Sequence, residues 1–250
     1  MPHAKVALVT GSGKRRIGWH VAEALADRGY RLAIHYYTST HEAAETLTYF
    51  RGKGAEAIAI QADLGDEQAA RALVRQVVEQ FGRLDVLAAC AAIWQPKRLE
   101  EVSAADVRRH FEVNVLGTFV CAQQAGLAMV AQREGGSIVT VGDWAEARPY
   151  QNYSAYFATK GALPTLTRSL AVELGTRNPQ IRVNCVLPGP VMLPADLPGD
   201  EKRLAIEGTL VKREGRPENV AQAVLFLIDN DFVTGTCLNI DGGRTIYAPS

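Results

Sequence analysis

The chain is predicted to fold as a doubly wound α/β protein built on one parallel sheet of seven strands. Two observations carry that prediction. Short, nearly continuous apolar runs alternate with longer segments of helical periodicity, and the runs lack the polar alternation of a sheet with one wet face. Among the 250 residues no Pro/Gly/Ser-rich linker, repeat or low-complexity tract marks a boundary, so one domain over 1–250 is expected.

Strands are expected at Val6 to Val9, Arg31 to His35, Ala55 to Ile60, Val86 to Ala89, Ser137 to Val141, Arg182 to Leu187 and Cys237 to Ile240. Helices are expected at Ile17 to Arg28, His41 to Gly52, Glu67 to Phe81, Ala104 to Ala131, Tyr153 to Leu174 and Pro217 to Ile228. Such alternation requires right-handed crossovers, which place helices on both faces of the sheet. Pro188 to Gly199 reads as a loop at the carboxyl ends of the strands, where ligands bind in sheets of this kind. Pro164 falls inside the expected helix and predicts a local kink.

Lys plus Arg balances Asp plus Glu at 27 each, so no positive excess points to nucleic acid or an anionic membrane. Hydrophobic residues make up 47% of the chain, enough to fill a sizeable core. A small-molecule enzyme is the class that fits. Cys90, Cys121, Cys185 and Cys237 are widely separated and form no CxxC, so neither a metal site nor a disulfide framework is expected. The opening Met1-Pro2-His3-Ala4-Lys5 leads into an apolar run too short for a signal h-region or a membrane span, and a cytoplasmic protein is expected.

The turn after the first strand reads Thr10-Gly11-Ser12-Gly13-Lys14-Arg15-Arg16-Ile17-Gly18. Its glycines permit a tight turn and close approach of backbone to a pyrophosphate, and the helix beginning near Ile17 offers free N–H groups and the positive end of its dipole. Arg16 stands where a strict GxGxxG would have its third glycine. The second strand ends His35-Tyr36-Tyr37-Thr38-Ser39 with no acidic residue for an unmodified ribose, while Lys14, Arg15 and Arg16 supply three cations. The pattern favours a 2′-phosphate, hence NADPH over NADH.

Tyr156 and Lys160 share one helix face at i and i+4, placing an ammonium beside a phenol. A free tyrosine titrates near pH 10, and a nearby cation favours the phenolate, so Lys160 is expected to lower the Tyr156 pKa and make it an acid-base residue.

These features together resemble the short-chain dehydrogenase/reductase family over essentially the whole chain. The matches, in order, are the Thr10-Gly11 turn, Asp63-Leu64 after the third strand, Asp85 opening the fourth, Asn114 in the long helix, Tyr156 and Lys160, Pro188-Gly189, and the closing Asp241-Gly242-Gly243. The resemblance implies a Rossmann domain with a cofactor half at about 1–150 and a catalytic half at about 151–250. It implies Asp63 and Leu64 near the adenine, Asn114 holding a water relay, Tyr156 as acid-base residue, and Lys160 bridging tyrosine and ribose. The implied NADP(H)-binding set is Gly11, Gly13, Lys14, Arg15, Arg16, Ile17, Tyr37, Ser39, Asp63, Leu64, Ala91, Tyr156, Lys160, Pro188, Gly189 and Val191. A homodimer or homotetramer is implied as well, with Ala122, Ala125 and Ala128 permitting close helix packing.

Two departures stand out. The family's Asn-Asn-Ala-Gly is here Ala89-Cys90-Ala91-Ala92, and the serine usually found thirteen residues before the tyrosine is Asp143. Asp143, the arginine-containing turn, the His35-Tyr36 pair and Trp94 are similar to the pteridine reductases and dihydromonapterin reductases. That likeness implies Trp94 stacking on a pterin, Arg16 meeting phosphate and pterin, and Tyr153 lining the pocket. The turn is one residue longer than theirs, and Thr38 stands where those reductases often place an arginine for the 2′-phosphate.

An ionised Asp143 at about 4 Å would oppose the charge developing on a ketone oxygen by about 4 kcal/mol at an effective dielectric of 20. A pterin presents N–H groups for the carboxylate and a ring C=N for an Asp143–Tyr156 relay. The expected function is therefore NADPH-dependent hydride transfer to a pterin or folate-like C=N. Ketone reduction (3-oxoacyl thioester, sugar or quinone) and non-catalytic NADPH sensing are the alternatives. Asp143 is also compatible with merely capping a turn.

Overall fold

A computed structural model describes residues 4–248, so the first three residues of the opening segment lie outside the described residues. Seven strands form one sheet: β1 (Val6–Thr10), β2 (Arg31–Tyr36), β3 (Ala57–Gln61), β4 (Val86–Ala89), β5 (Gly136–Val141), β6 (Ile181–Pro188) and β7 (Cys237–Ile240). Their order is β3-β2-β1-β4-β5-β6-β7, and every pairing is parallel. The chain order reverses between β1 and β4, which opens the crevice where ligands bind in such sheets.

Helices α1 (Ile17–Ala26), α2 (Thr40–Gly52) and α8 (Pro217–Asp229) cover one face, where Trp19, Leu25, Phe50 and Val224 pack against Ile34, Val86 and Val139. The other face is covered by α3 (Glu67–Phe81), α5 (Gly117–Val130) and α6 (Ser154–Gly175), through Leu73, Val77, Met129 and Leu174 on Leu8, Leu87 and Ile138. Burial on both sides explains the unbroken apolar strands: β1 is buried at all five positions. Local chemistry sets the helix ends. Asp66 accepts from the Ala69 N–H at the start of α3, and Gly82, at φ +76°, closes that helix in the left-handed region.

Two elements differ from the sequence reading. The long helix expected from Ala104 to Ala131 is two helices, α4 (Ala104–Phe111) and α5, joined by a π-helical turn at Glu112–Leu116 that carries Asn114. The turn shifts the helical phase and aims Asn114 inward. A Cβ on Gly117, just beyond it, would meet the Leu64 carbonyl oxygen at 2.5 Å, so the start of α5 closes onto the segment after β3. Helix α7 (Gly199–Glu207) follows the loop after β6 and buries none of its residues, so it leaves no amphipathic signature. Helix α6, expected from Tyr153 to Leu174, runs from Ser154 to Gly175 with Pro164 inside it. The stretch Ala104–Val130 is apolar and long enough to cross a membrane by composition, but more than half of its most apolar window is buried inside the protein.

Candidate active site

At the carboxyl end of β5 the chain turns at Asp143, whose Oδ1 accepts from the Ala145 N–H at 2.9 Å and caps a short 3-10 turn at Trp144–Glu146. The turn-capping role thus exists, alongside a second one. The Tyr156 hydroxyl, from the first turn of α6, donates to Asp143 Oδ2 at 2.9 Å. Lys160, one turn on, donates from Nζ to the Val141 carbonyl at 2.7 Å and stands 5.7 Å from the centre of the Tyr156 ring. Tyr156 and Lys160 are buried and Asp143 is partly buried, so desolvation acts on all three. Burial raises the Asp143 carboxyl above its ordinary value against opposition from the Ala145 N–H, Tyr156 and Lys160. Burial lowers the Lys160 ammonium, opposed by Asp143.

Tyr156 departs from expectation. Its pKa is raised well above that of a free phenol, first by burial and then by the Asp143 charge and hydrogen bond. The expected lowering by Lys160 is not found, because the ammonium is turned onto a strand carbonyl while the carboxyl touches the hydroxyl directly.

Asn114 is fully engaged with protein: Oδ1 accepts from the Ile93 N–H at 2.8 Å, and Nδ2 donates to the Ile93 carbonyl and to Thr159 Oγ1. It fastens the segment after β4 to α6, between the two strands that flank the site. Thr159, which sequence reasoning missed, also donates to the Tyr156 carbonyl.

Trp94 lies over Tyr153, ring centres 5.2 Å apart and planes 9° off parallel. The two rings expected to line a ligand pocket therefore pack on each other. Tyr150 meets Tyr153 and Phe157 edge-on, and Tyr156 sits behind Phe157. The result is an aromatic wall beside the acid-base pair, with Trp94 and Tyr150 still substantially exposed. Tyr150 follows Pro149 in a loop, where nothing in the pattern distinguished it.

The turn after β1 lies at the crevice. Gly11 has φ +66°, and a Cβ there would meet the Ala91 Cα at 2.8 Å; one on Gly13 would meet the Tyr36 Cβ at 2.6 Å. Ala91 is held by its N–H to Thr10 Oγ1 at 3.1 Å, a tie that serves where the Ala89–Ala92 segment has no polar side chain except the Cys90 thiol. The N–H groups of the turn itself are taken up within the protein. Ser12 and Gly13 give theirs to the His35 carbonyl, and Gly11 to the His35 ring. Helix α1 has no capping side chain at Arg16, which leaves the first-turn N–H groups of Ile17 and Gly18 for an anion.

The three expected cations diverge. Lys14 pairs with Glu42 at 3.6 Å, and the Arg15 guanidinium lies 4.4 Å over the Trp19 ring. Neither arginine has an ion-pair or hydrogen-bond partner for its side chain among the described residues, and of the three cations Arg16 also lies on no aromatic ring. Ser39 precedes α2 without using its hydroxyl as a cap, and Tyr37 is half exposed. Asp63 is tied to Arg109 at 3.0 Å and to the Gly65 N–H at 2.8 Å, and Leu64 is buried in the core. Gly189 donates to the Ile240 carbonyl after Pro188, and Val191 bridges to Gly215.

A family profile described as enoyl-(acyl carrier protein) reductase matches residues 11–245. The chain is 33% identical to versicolorin reductase 1 of Aspergillus parasiticus over 256 residues, covering 96% of this chain and 95% of that one. It is 33% identical to a 3-oxoacyl-(acyl-carrier-protein) reductase of Staphylococcus aureus over 247 residues, covering 97% and 99%. A solved blue fluorescent protein from a metagenomic library, in complex with NADPH, superposes with a TM-score of 0.88 at 35% identity over 97% of this chain and 98% of that one. None of these relatives is described as a pterin reductase. The chain belongs to the short-chain dehydrogenase/reductase family.

Proposed function

We propose that the protein is an NADP(H)-dependent oxidoreductase that interconverts a ketone and its alcohol. The observation that carries this reading is the partly buried Tyr156–Asp143 hydrogen bond, at 2.9 Å, with the Asp143 carboxyl pushed in the direction of its neutral form by desolvation. Neutral, Asp143 no longer opposes charge on a ketone oxygen. A carboxylic acid has an O–H to give, so it takes the donor role of the usual serine. Two relatives named as a versicolorin reductase and a 3-oxoacyl reductase support ketone chemistry, and a relative solved with NADPH supports the cofactor.

The residues suit a dinucleotide. Gly11 and Gly13 leave room only for backbone beside Ala91 and Tyr36, the uncapped start of α1 suits a pyrophosphate, and Arg16 with Ser39 suits a 2′-phosphate. Bound nicotinamide supplies or accepts the hydride. Tyr156 turns its hydroxyl from Asp143 to the substrate oxygen and gives it a proton, while Asp143 donates a second hydrogen bond to the same oxygen. The Lys160 ammonium, held by the Val141 carbonyl, keeps a cation 5.7 Å from the centre of the Tyr156 ring. Asn114 holds α6 against the segment after β4, which keeps Tyr156 in place.

A pterin or folate-like C=N is the second reading. It rests on Asp143 when ionised, as an acceptor for ring N–H groups, and requires Trp94 or Tyr153 to open its stacked face. Assembly into a homodimer or homotetramer is supported by the exposed apolar Leu127, Val172 and Phe226 on α5, α6 and α8 and is tested by light scattering. The substrate is tested with NADPH against 3-oxoacyl thioesters, diketones, quinones and dihydropterins. Turnover of a ketone is expected; turnover of dihydropterins alone overturns the ketone reading.

A further inference from the structure

His35 stands at the carboxyl end of β2, 3% exposed, and ties the turn after β1 to the end of β3 on one side of the expected dinucleotide crevice. Its Nδ1 accepts from the Gly11 N–H at 3.0 Å. Its Nε2 lies 3.0 Å from the Ala62 carbonyl oxygen, the residue before Asp63 and Leu64. A backbone N–H can only donate and a carbonyl can only accept, so a single protonation state satisfies both contacts: the neutral imidazole with its hydrogen on Nε2. Burial favours that state, lowering the ring's pKa.

The main chain of the same residue completes the tie. Its carbonyl takes the N–H groups of Ser12 and Gly13, each at 3.1 Å. Its N–H donates to Ser12 Oγ at 3.3 Å, and that hydroxyl donates to the Val9 carbonyl at 2.6 Å. Three consecutive N–H groups of the turn, Gly11 to Gly13, are thus committed to His35. On the opposite side the turn meets the β4 segment at Ala91, where Gly11 has no room for a side chain. Gly11, at φ +66°, is not held by a helix or strand of its own. The His35 ring supplies the hydrogen bond that keeps its N–H from being buried without a partner.

We infer that His35 is a positioning residue for the cofactor: its neutral Nε2–H ring holds the glycine turn and the end of β3 at one separation, and so sets affinity for the dinucleotide without touching the reacting atoms. This inference rests on the nucleotide reading above. Removing the ring leaves the Gly11 N–H unpaired, and the turn relaxes away from its anion-binding geometry. Asparagine places an amide oxygen where Nδ1 was and restores the acceptor for Gly11.

The test is direct NADPH binding by calorimetry, with steady-state kinetics alongside, for wild type, His35→Leu and His35→Asn. His35→Leu is expected to weaken NADPH binding about tenfold or more, raising KM for NADPH while leaving kcat at saturation within about twofold; His35→Asn is expected to recover most of the affinity. Nitrogen-15 NMR of the wild-type imidazole, which needs no variant to fold, is expected to show Nδ1 unprotonated and Nε2 protonated. The inference is overturned by a hydrogen on Nδ1, by unchanged affinity in His35→Leu, or by His35→Asn binding as weakly as His35→Leu. Wild type that binds no nicotinamide dinucleotide overturns the nucleotide reading, and the inference with it; wild type that binds while the variants do not differ overturns the inference alone.

Discussion

The Tyr156 hydroxyl and the Asp143 carboxyl, thirteen residues apart in sequence, share a hydrogen bond of 2.9 Å inside the protein. Each alters the other's proton affinity. The carboxyl raises the phenol's pKa, while the phenol's hydroxyl partly offsets the burial that raises the carboxyl's. Tyr156 therefore stays protonated across the physiological range, ready to give a proton in the reducing direction. Desolvation moves Asp143 in the direction of its neutral form.

Tyr156→Phe removes the proton and leaves the ring that packs against Phe157 and Tyr153. Turnover is expected to fall about a hundred- to ten-thousandfold, with NADPH affinity by calorimetry unchanged. Retained turnover would place the proton donor elsewhere.

The pH dependence follows from Asp143 with a definite sign. Its folded pKa is raised, so the protonated carboxyl is present below that value and lost as pH rises through it. Ketone reduction should fall along an alkaline limb. Lys160, whose pKa is lowered, also loses its charge as pH rises, so the two are separated by Asp143→Asn, whose amide donates at every pH. If the limb belongs to Asp143, this variant loses or shifts it; a limb that stays in place belongs to Lys160. Stability has the same sign. A carboxyl raised on folding contributes fully below its unfolded pKa, and that contribution is lost as pH rises through the folded value. Asp143→Asn should flatten the corresponding part of the Tm-against-pH curve.

Cofactor preference should depend on Arg16 more than on its neighbours. Arg16 has no ion-pair partner among the described residues, whereas Lys14 is paired with Glu42 and Arg15 lies on Trp19. Arg16→Ala is expected to narrow the NADPH-over-NADH affinity ratio about tenfold, the size of one charge-assisted hydrogen bond, and Lys14→Ala to narrow it less. Equal affinities of the wild-type protein for NADPH and NADH would remove the 2′-phosphate reading.

The parts legible in the sequence were those carried by short-range pattern. The central strands are buried on both faces, so composition alone marks them, and Tyr156 and Lys160 are joined by helical spacing. What was hidden depends on contacts between distant residues or on burial. The His35 tie to Gly11 spans 24 positions, and the upward shift of Asp143 comes from desolvation that only the folded chain creates. Trp94 and Tyr153 were both singled out, yet their stacking on each other was not visible, since one follows β4 and the other precedes α6. The π-helical turn at Asn114 was masked because its flanking helices are continuous in apolar pattern. Helix α7 packs nothing into the core, and so no hydrophobic period announces it.

Asp143→Ser separates ketone from pterin chemistry. Serine is the residue usual in the family at this offset, and its hydroxyl donates to a ketone oxygen without bringing a charge. If Asp143 acts as a neutral donor, the serine variant should keep ketone reduction within about tenfold of wild type and lose the alkaline limb, while Asp143→Ala, with no donor, should lose more. If Asp143 acts instead as a carboxylate accepting from ring N–H groups, serine should abolish dihydropterin turnover, because a single hydroxyl cannot replace two acceptor oxygens and the proton relay to Tyr156 is broken. Initial rates for wild type and both variants, measured with one ketone and one dihydropterin, decide between the two. A serine variant as poor as the alanine variant on ketones would mean that the Asp143 O–H is not what the substrate oxygen uses.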